Sequence, residues 1–441
     1  MRSYLIEGGY PLTGHVKIGG SKNASLAVLS AAMVIDGPCI IDNLPAISDI
    51  DVLLQIFSDI GATVEYLAPG KVRLDARTIN THEALHSRVT EIRGSYYLLG
   101  ALLGRFGKVS LRMPGGCDFG VRPIDLHLKG FQALGATTDV GRGIVTCSAE
   151  ELTGGGVFLD TVSVGATINI MLAAVKAKGK TVIDNAAREP HIVDVANFLN
   201  VMGADIRGAG TDVIRINGRP MLPGGREYTV IPDQIEAGTY MILAPLTRGD
   251  ITVDGVIPKH MEPLTAKLQE MGVTVEDGED SIRVYLAEGD TLRSTSYKTM
   301  PYPGFPTDLQ PQATVLLCLA EGTGRMIENV WENRFQYVDA LRMMGANIIT
   351  SGRLAVVQGG AKLTGSRVTA RDLRAGAAMV MAGLAASGAT EVFDIDRIER
   401  GYEHFVEKLT KLGAVISRIE RENAHAFSLS IREITAQTPS L

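Results

Sequence analysis

The stretch RMPGGCDFGVRPIDLH, residues 112–127, sets Cys117 between a pair of glycines and Asp118, with Arg122 five residues on. A thiol at the tip of a glycine-rich turn gains nothing from packing and is open to oxidation. The residues alone leave two readings: a loop position without a role, or a reactive thiol. Arg122 favours the thiolate and Asp118 opposes it, while the flanking glycines leave the loop room to swing as a lid. Two other positions are suited to chemistry. Lys22 and Asn23, in GGSKNASL, stand where a strand enters an apolar helix, and a lysine there is either an exposed side chain or a ligand for an anion. Asp308, in FPTDLQPQ, is well placed as an N-cap for the helix that follows.

Composition narrows the class of partner. The chain has 441 residues, 45% apolar and 21% charged, too long for one compact core. A net charge of −6 gives no basic footprint for nucleic acid, and 5% aromatic content gives no stacking platform for single strands. Cys39, Cys117, Cys147 and Cys318 form no CxxC pair, which argues against a zinc ribbon or a disulfide framework. Cys39 and Cys318 lie among apolar neighbours and read as small core residues. The start, MRSYLIEGGYPLTG, lacks the basic and apolar runs of a signal peptide, and no apolar run reaches membrane-spanning length. The expectation is a reduced, cytoplasmic protein with no membrane or nucleic-acid partner; protein partners are not legible.

The elements that must position these residues repeat. FSDIGATVEY, FQALGATTDV, LNVMGADIRG, LQEMGVTVED, LRMMGANIIT and LTKLGAVISR each end an amphipathic run in glycine and open a short strand. The glycines (Gly61, Gly135, Gly203, Gly272, Gly345, Gly413) are spaced by 68 to 74 residues. Ahead of each runs a second helix, apolar nearly all round and rich in Ala and Gly, such as VGATINIMLAAVKAKG; a helix without a polar face is buried on all sides. Each unit therefore reads as buried helix, strand, loop, amphipathic helix, strand. The loops carry charge: Asp49 and Asp51, Arg122, Arg188, Lys259 and His260, Arg334, and Arg397 with Arg400. Solvated surface charge accounts for any one of them; if the units converge, five basic loops in an acidic protein suit a multiply anionic small molecule. Six units divide into two sets of three, giving domains 21–230 and 1–20 with 231–441. The two crossings between them suit closure on a ligand in the cleft.

These motifs, together with VSVGAT, NAAREPHIVD, WENRFQYV, DLRAGAA and ERGYEHF, resemble those of the UDP-N-acetylglucosamine 1-carboxyvinyltransferase family, from about residue 3 to about residue 420. The resemblance implies a two-domain inside-out α/β barrel. It implies transfer of the enolpyruvyl group of phosphoenolpyruvate to the 3-hydroxyl of UDP-N-acetylglucosamine, at the start of bacterial peptidoglycan synthesis. That addition and elimination requires a general acid and a general base but no metal or other cofactor. By resemblance, Cys117 donates the proton to the phosphoenolpyruvate methylene and can form a covalent adduct with that substrate. Lys22, Asn23, Arg122 and Arg400 hold its phosphate and carboxylate, with Lys22 also catalytic. Asp308 is the base at the sugar hydroxyl. Arg93, Arg122, Pro123, Ile124, Asp125, Leu126, Val162, Ser163, Val164, Asp308 and Val330 contact the nucleotide sugar. Asp49, Glu332, Arg334, Asp372 and Arg374 support the site, with Arg374 and Glu332 placed in the cleft.

The chain departs from the family pattern in places. Thr161 stands where some members carry a lysine before VSVGAT, which puts one diphosphate contact in doubt; Glu399 replaces the aspartate of DRGY; and the tail after residue 420 matches no family motif. Other readings remain. A shikimate 3-phosphate enolpyruvyl transferase shares the fold but not the cysteine loop. A non-catalytic, regulatory paralogue would bind the nucleotide sugar and lose Cys117, Lys22 or Asp308. An acyl-transfer thiol enzyme would need a histidine partner, for which His127, read as two turns into the following helix, is the local candidate.

Overall fold

A computed structural model describes residues 2–113 and 124–421. The helices come in pairs: α1 (Lys22–Ala32) with α2 (Ser48–Asp59), α3 (Tyr97–Phe106) with α4 (Asp125–Ala133), and α5 (Val164–Ala174) with α6 (Pro190–Val201). They continue as α7 (Gln234–Leu246) with α8 (Pro258–Glu270), and α9 (Gln310–Leu319) with α10 (Val338–Met343). The last pair is α11 (Leu373–Ala385) with α12 (Asp396–Glu399) and α13 (Phe405–Lys411). The first helix of every pair is buried along most or all of its length, as its unbroken apolar composition requires. Small residues let these helices touch. A Cβ on Gly100 of α3 would lie 2.2 Å from the Asn169 carbonyl of α5, so Gly100→Ala would push the two helices apart.

The six repeat glycines end the outer helices as expected. Their φ angles fall between 88° and 111°, the left-handed region where a side chain is strained. The following amide reaches back into the last turn each time, as in Ala62 N to Phe57 O at 2.9 Å and Val273 N to Leu268 O at 3.0 Å. On its inner face α2 buries Leu53, Ile56 and Phe57, and truncating Leu53 to Ala would cost about 2–5 kcal/mol.

Each unit holds more sheet than the repeats suggested. Among the described residues there are six four-stranded sheets, each with a short edge strand parallel to the strand between the helices. The second unit shows the pattern: Glu83–Ala84, Lys108–Arg112, Ile144–Ser148, Thr137–Gly141. Two sheets borrow that edge strand from a distance. Glu227–Thr229 pairs with Pro38–Asp42, and Thr13–Lys17 pairs with Asp250–Asp254. Arg2–Glu7 lies between Ala389–Phe393 and Val415–Glu420, antiparallel to both. The buried apolar side chains form two clusters, one from Ala24 to Val230 and the other joining Tyr4 to Ile18 with Ile235 to Ala414.

The chain passes between these clusters twice, and the two passages are tied together. Gly20 bridges Pro232, Ser21 N donates to Ile231 O at 2.8 Å, and Asp233 N donates to Gly19 O at 3.0 Å. A Cβ on Gly20 would sit 1.6 Å from the Asn43 carbonyl, so only glycine fits there. Several charges expected in loops instead occupy first helical turns: Asp49 and Asp51 in α2, Lys259 and His260 in α8, and Arg397 in α12. For the aspartates the reason is electrostatic, since the amide end of a helix favours negative charge. Among the described residues, no helix is long and apolar enough to cross a membrane.

Candidate active site

Lys22 opens α1, with the Ser21 hydroxyl accepting from Ala24 N as the cap. Its own amide donates to Asp233 at 2.9 Å, and the same carboxylate accepts from Ile235 and Glu236 at the start of α7. One aspartate therefore caps a helix of each core. The Lys22 side chain is buried, and its Nζ lies 2.7 Å from Asp49, itself buried in the first turn of α2. Arg400, from the other core, closes on the same carboxylate at 3.0 and 3.2 Å. Burial lowers the Lys22 pKa, Asp49 opposes that shift, and nearby Arg400 and Arg374 add to it. Asn23 follows Lys22 in the first turn and is half-buried.

A second group surrounds Asp308, which sits in the short turn Thr307–Leu309 ahead of α9. Arg334 reaches one carboxylate oxygen at 3.3 Å and Arg374 reaches the other at 3.3 Å. Both arginines are almost fully buried. Asp308 caps neither its own turn nor α9, contrary to the capping expectation, because its carboxylate is turned to these guanidinium groups instead. Asp372 is the cap of α11, accepting from the amides of Arg374 and Ala375, and so anchors the arginine that grips Asp308. The Arg374 guanidinium also lies over the Tyr402 ring, 5.3 Å from its centre.

A third group gathers three turns around His127. Arg93 lies in the turn Arg93–Tyr96 with its guanidinium 5.5 Å from the Tyr96 ring centre, and that ring lies 6.3 Å from the His127 ring. Asp125 and Leu126 open α4, with Ile124 buried before them. Val162, Ser163 and Val164 lead into α5, where Ser163 accepts from Ala166 N. The starts of α4 and α5 touch, since a Cβ on Gly165 would meet the His127 ring at 3.0 Å.

His127 itself lies in the first turn of α4, not two turns in, and it is buried. Gly100 N donates to Asn169 Oδ1 at 2.7 Å, which turns the Asn169 amide nitrogen toward His127 Nδ1 at 2.9 Å. The ring is held as an acceptor, and burial pulls its pKa down to about 4. That is the environment of a neutral core histidine.

Other expected positions stand apart or lie beyond view. Glu332 is largely exposed and pairs with Arg353 at 3.3 Å; it is not among the groups that meet at Asp308. Arg188 pairs with Asp212 at 3.5 Å on the surface. Val330 is half-buried, with its amide fixed by Glu328 at 2.8 Å. Cys117, Arg122 and Pro123 lie outside the described residues, as does most of the tail after residue 420.

The structure adds groups that the sequence reading did not single out. His191, in the first turn of α6, is buried, and Glu189, Asp308 and Asp233 raise a pKa that burial lowers. Glu189 accepts from Tyr302 N at 3.3 Å and Glu403 accepts from Ala46 N at 3.0 Å, each joining one core to the other. Asp233 had a visible signal, a capping residue directly before the apolar run of α7; His191 had none. Among the described residues no cluster of His, Cys, Asp and Glu is placed to hold a metal ion.

The whole assembly has known counterparts. The family model for EPSP synthase (3-phosphoshikimate 1-carboxyvinyltransferase) matches residues 6–409. A UDP-N-acetylglucosamine 1-carboxyvinyltransferase of Caldanaerobacter subterraneus is 53% identical over 419 residues, 95% of this chain and 100% of that protein. One of Halothermothrix orenii is 50% identical over 420 residues, 95% of this chain and 100% of that protein. Among solved structures, the enolpyruvyl transferase NikO from Streptomyces tendae superposes with a TM-score of 0.86 at 29% identity, covering 96% of this chain and 99% of that one. An EPSP synthase from Acinetobacter baumannii gives 0.71 at 21% identity, covering 95% and 100%, a likeness of fold. By the family match and these identities, the chain belongs to the enolpyruvyl (1-carboxyvinyl) transferases, grouped with the UDP-N-acetylglucosamine 1-carboxyvinyltransferases.

Proposed function

We propose that this chain transfers the enolpyruvyl group of phosphoenolpyruvate to the 3-hydroxyl of UDP-N-acetylglucosamine, releasing phosphate, in the first committed step of peptidoglycan synthesis. The observation that carries the acceptor is the identity of 50–53% over nearly full length with proteins of that name. The site fits the chemistry. Lys22 and Arg400 are cations already assembled around Asp49, and a trianionic substrate can take over those contacts, joined by Arg122 and with Asn23 alongside. Asp49 balances the buried Lys22 charge and the half-buried Arg400 charge.

The sugar 3-oxygen attacks the substituted carbon of phosphoenolpyruvate as Asp308 takes the hydroxyl proton, and Cys117 delivers a proton to the methylene carbon. The resulting tetrahedral ketal expels phosphate, which carries off the proton taken by Asp308, and the new methyl group returns a proton to the Cys117 thiolate as the carbon–carbon double bond of the enol ether re-forms. Arg334 and Arg374 hold Asp308 in one orientation for that exchange. Arg93, the run Arg122 to Leu126, Val162 to Val164 and Val330 form the nucleotide-sugar side, with the amides that open α5 available to the diphosphate.

The proposed domains are 21–230, and 1–20 with 231–441, closing on the two substrates about the tied crossings, with the Cys117 loop as lid. The proposed location is cytoplasmic. Mass spectrometry of the product tests the reading: incubation with both substrates should yield the nucleotide sugar enlarged by an enolpyruvyl group, and unchanged nucleotide sugar would refute it.

A further inference from the structure

Glu328 is a fully buried carboxylate that carries no assigned role. It follows the strand Thr323–Ile327, and among the described residues no lysine or arginine pairs with it. Four donors converge on it instead. Oε1 accepts from the Thr299 hydroxyl at 2.8 Å, Val330 N at 2.8 Å and Trp331 N at 3.0 Å; Oε2 accepts from the Thr307 hydroxyl at 2.9 Å. A carboxylate out of water needs such donors, and the donors it has chosen are not scattered. Two fix the backbone of Val330 and Trp331. A third fixes Thr307, the residue before Asp308, whose carbonyl also accepts from Arg334 at 3.4 Å. The fourth, Thr299, is itself tied to the loop, accepting from Asn329 N at 2.9 Å.

Resting on the transferase reading above, we propose that Glu328 is a positioning residue: one buried carboxylate sets the Val330 backbone facing the nucleotide sugar and the Thr307 turn that presents Asp308. The arrangement links acceptor binding to the placement of the base. If Glu328 is shortened, both arms lose their common anchor. If Thr307 loses its hydroxyl, only the arm leading to Asp308 is released.

The test compares Glu328→Ala, Glu328→Gln and Thr307→Val with the wild type in steady-state phosphate release, with folding checked by thermal melting. Glu328→Ala should raise KM for UDP-N-acetylglucosamine and lower kcat, each roughly 10–100-fold, the scale expected when reacting groups drift by about an ångström. Thr307→Val should lower kcat roughly tenfold or more and leave that KM within about twofold, because the Val330 arm stays anchored. Glu328→Gln should restore most of both, since its carbonyl can keep the two amides while its NH2 donates to the Thr307 hydroxyl. Wild-type turnover with folded Thr307→Val and Glu328→Ala proteins that match it would overturn the positioning role and leave the transferase reading standing. A wild type that releases no phosphate would overturn that reading and this one together.

Discussion

Arg400 crosses from one core to hold Asp49 of the other, its Nε and a terminal nitrogen lying 3.0 and 3.2 Å from the two carboxylate oxygens, 351 residues away in sequence. Lys22 completes the group at 2.7 Å. An internal carboxylate thus holds the two cations that are proposed to bind phosphate.

Replacement of that carboxylate by phosphate is measurable. Asp49→Asn removes the buried counter-charge of Lys22 and should lower stability by about 3 kcal/mol. Inorganic phosphate should recover more of the loss, raising the melting temperature further in the variant than in the wild type. Equal phosphate-induced shifts would mean that the anion does not replace Asp49.

Asp308 is expected to act on a proton and not merely to hold the loop. Asp308→Asn keeps its shape and should reduce kcat by roughly 10²–10⁴-fold while nucleotide-sugar binding stays within a fewfold of wild type. Asp308→Ala should also destabilise, because Arg334 and Arg374 lose their shared carboxylate. Undiminished kcat in Asp308→Asn would remove it as the base.

His127 makes a prediction about pH. Its folded pKa, about 4, lies below the 6.5 of an exposed histidine. Below pH 6.5 the unfolded chain takes up a proton that the folded ring refuses, so this stabilisation is complete above that pH and drains away as pH falls toward 4. The wild type should therefore lose about 3 kcal/mol more than His127→Gln between neutral pH and pH 4. Parallel denaturant midpoints across that range would contradict the buried neutral ring.

For Cys117 the expected pair of results is opposite in sign. Cys117→Ala should abolish turnover while the nucleotide sugar still binds, and Cys117→Asp should keep activity because a carboxylic acid can also deliver the proton. Isothermal titration together with a phosphate-release assay separates binding from turnover. Full activity in the alanine variant, or a folded but inactive aspartate variant, would count against the proton-donor role.

Much of the architecture was legible because it is local. The inner helices announce themselves by lacking a polar face, and the six repeat glycines by the left-handed turns they make. Of the borrowed strands, Glu227–Thr229 was not legible: it is three residues long, and its partner lies far back in the chain. The same limit applies to the site. Lys22 and Asp308 could be named, by resemblance to the family, but the partners that give them chemical character arrive from other units. Asp308 read locally as a helix cap and instead faces Arg334 and Arg374. Glu332, expected in the cleft, pairs with Arg353 at the surface. Capping follows from neighbours in sequence, whereas charge pairing is decided by the fold.

The most direct test is phosphate release from phosphoenolpyruvate measured with UDP-N-acetylglucosamine, with shikimate 3-phosphate, and with neither. The expected result is release only with the nucleotide sugar, one phosphate for each enolpyruvyl product. Release driven by shikimate 3-phosphate, or by phosphoenolpyruvate alone, would contradict the account.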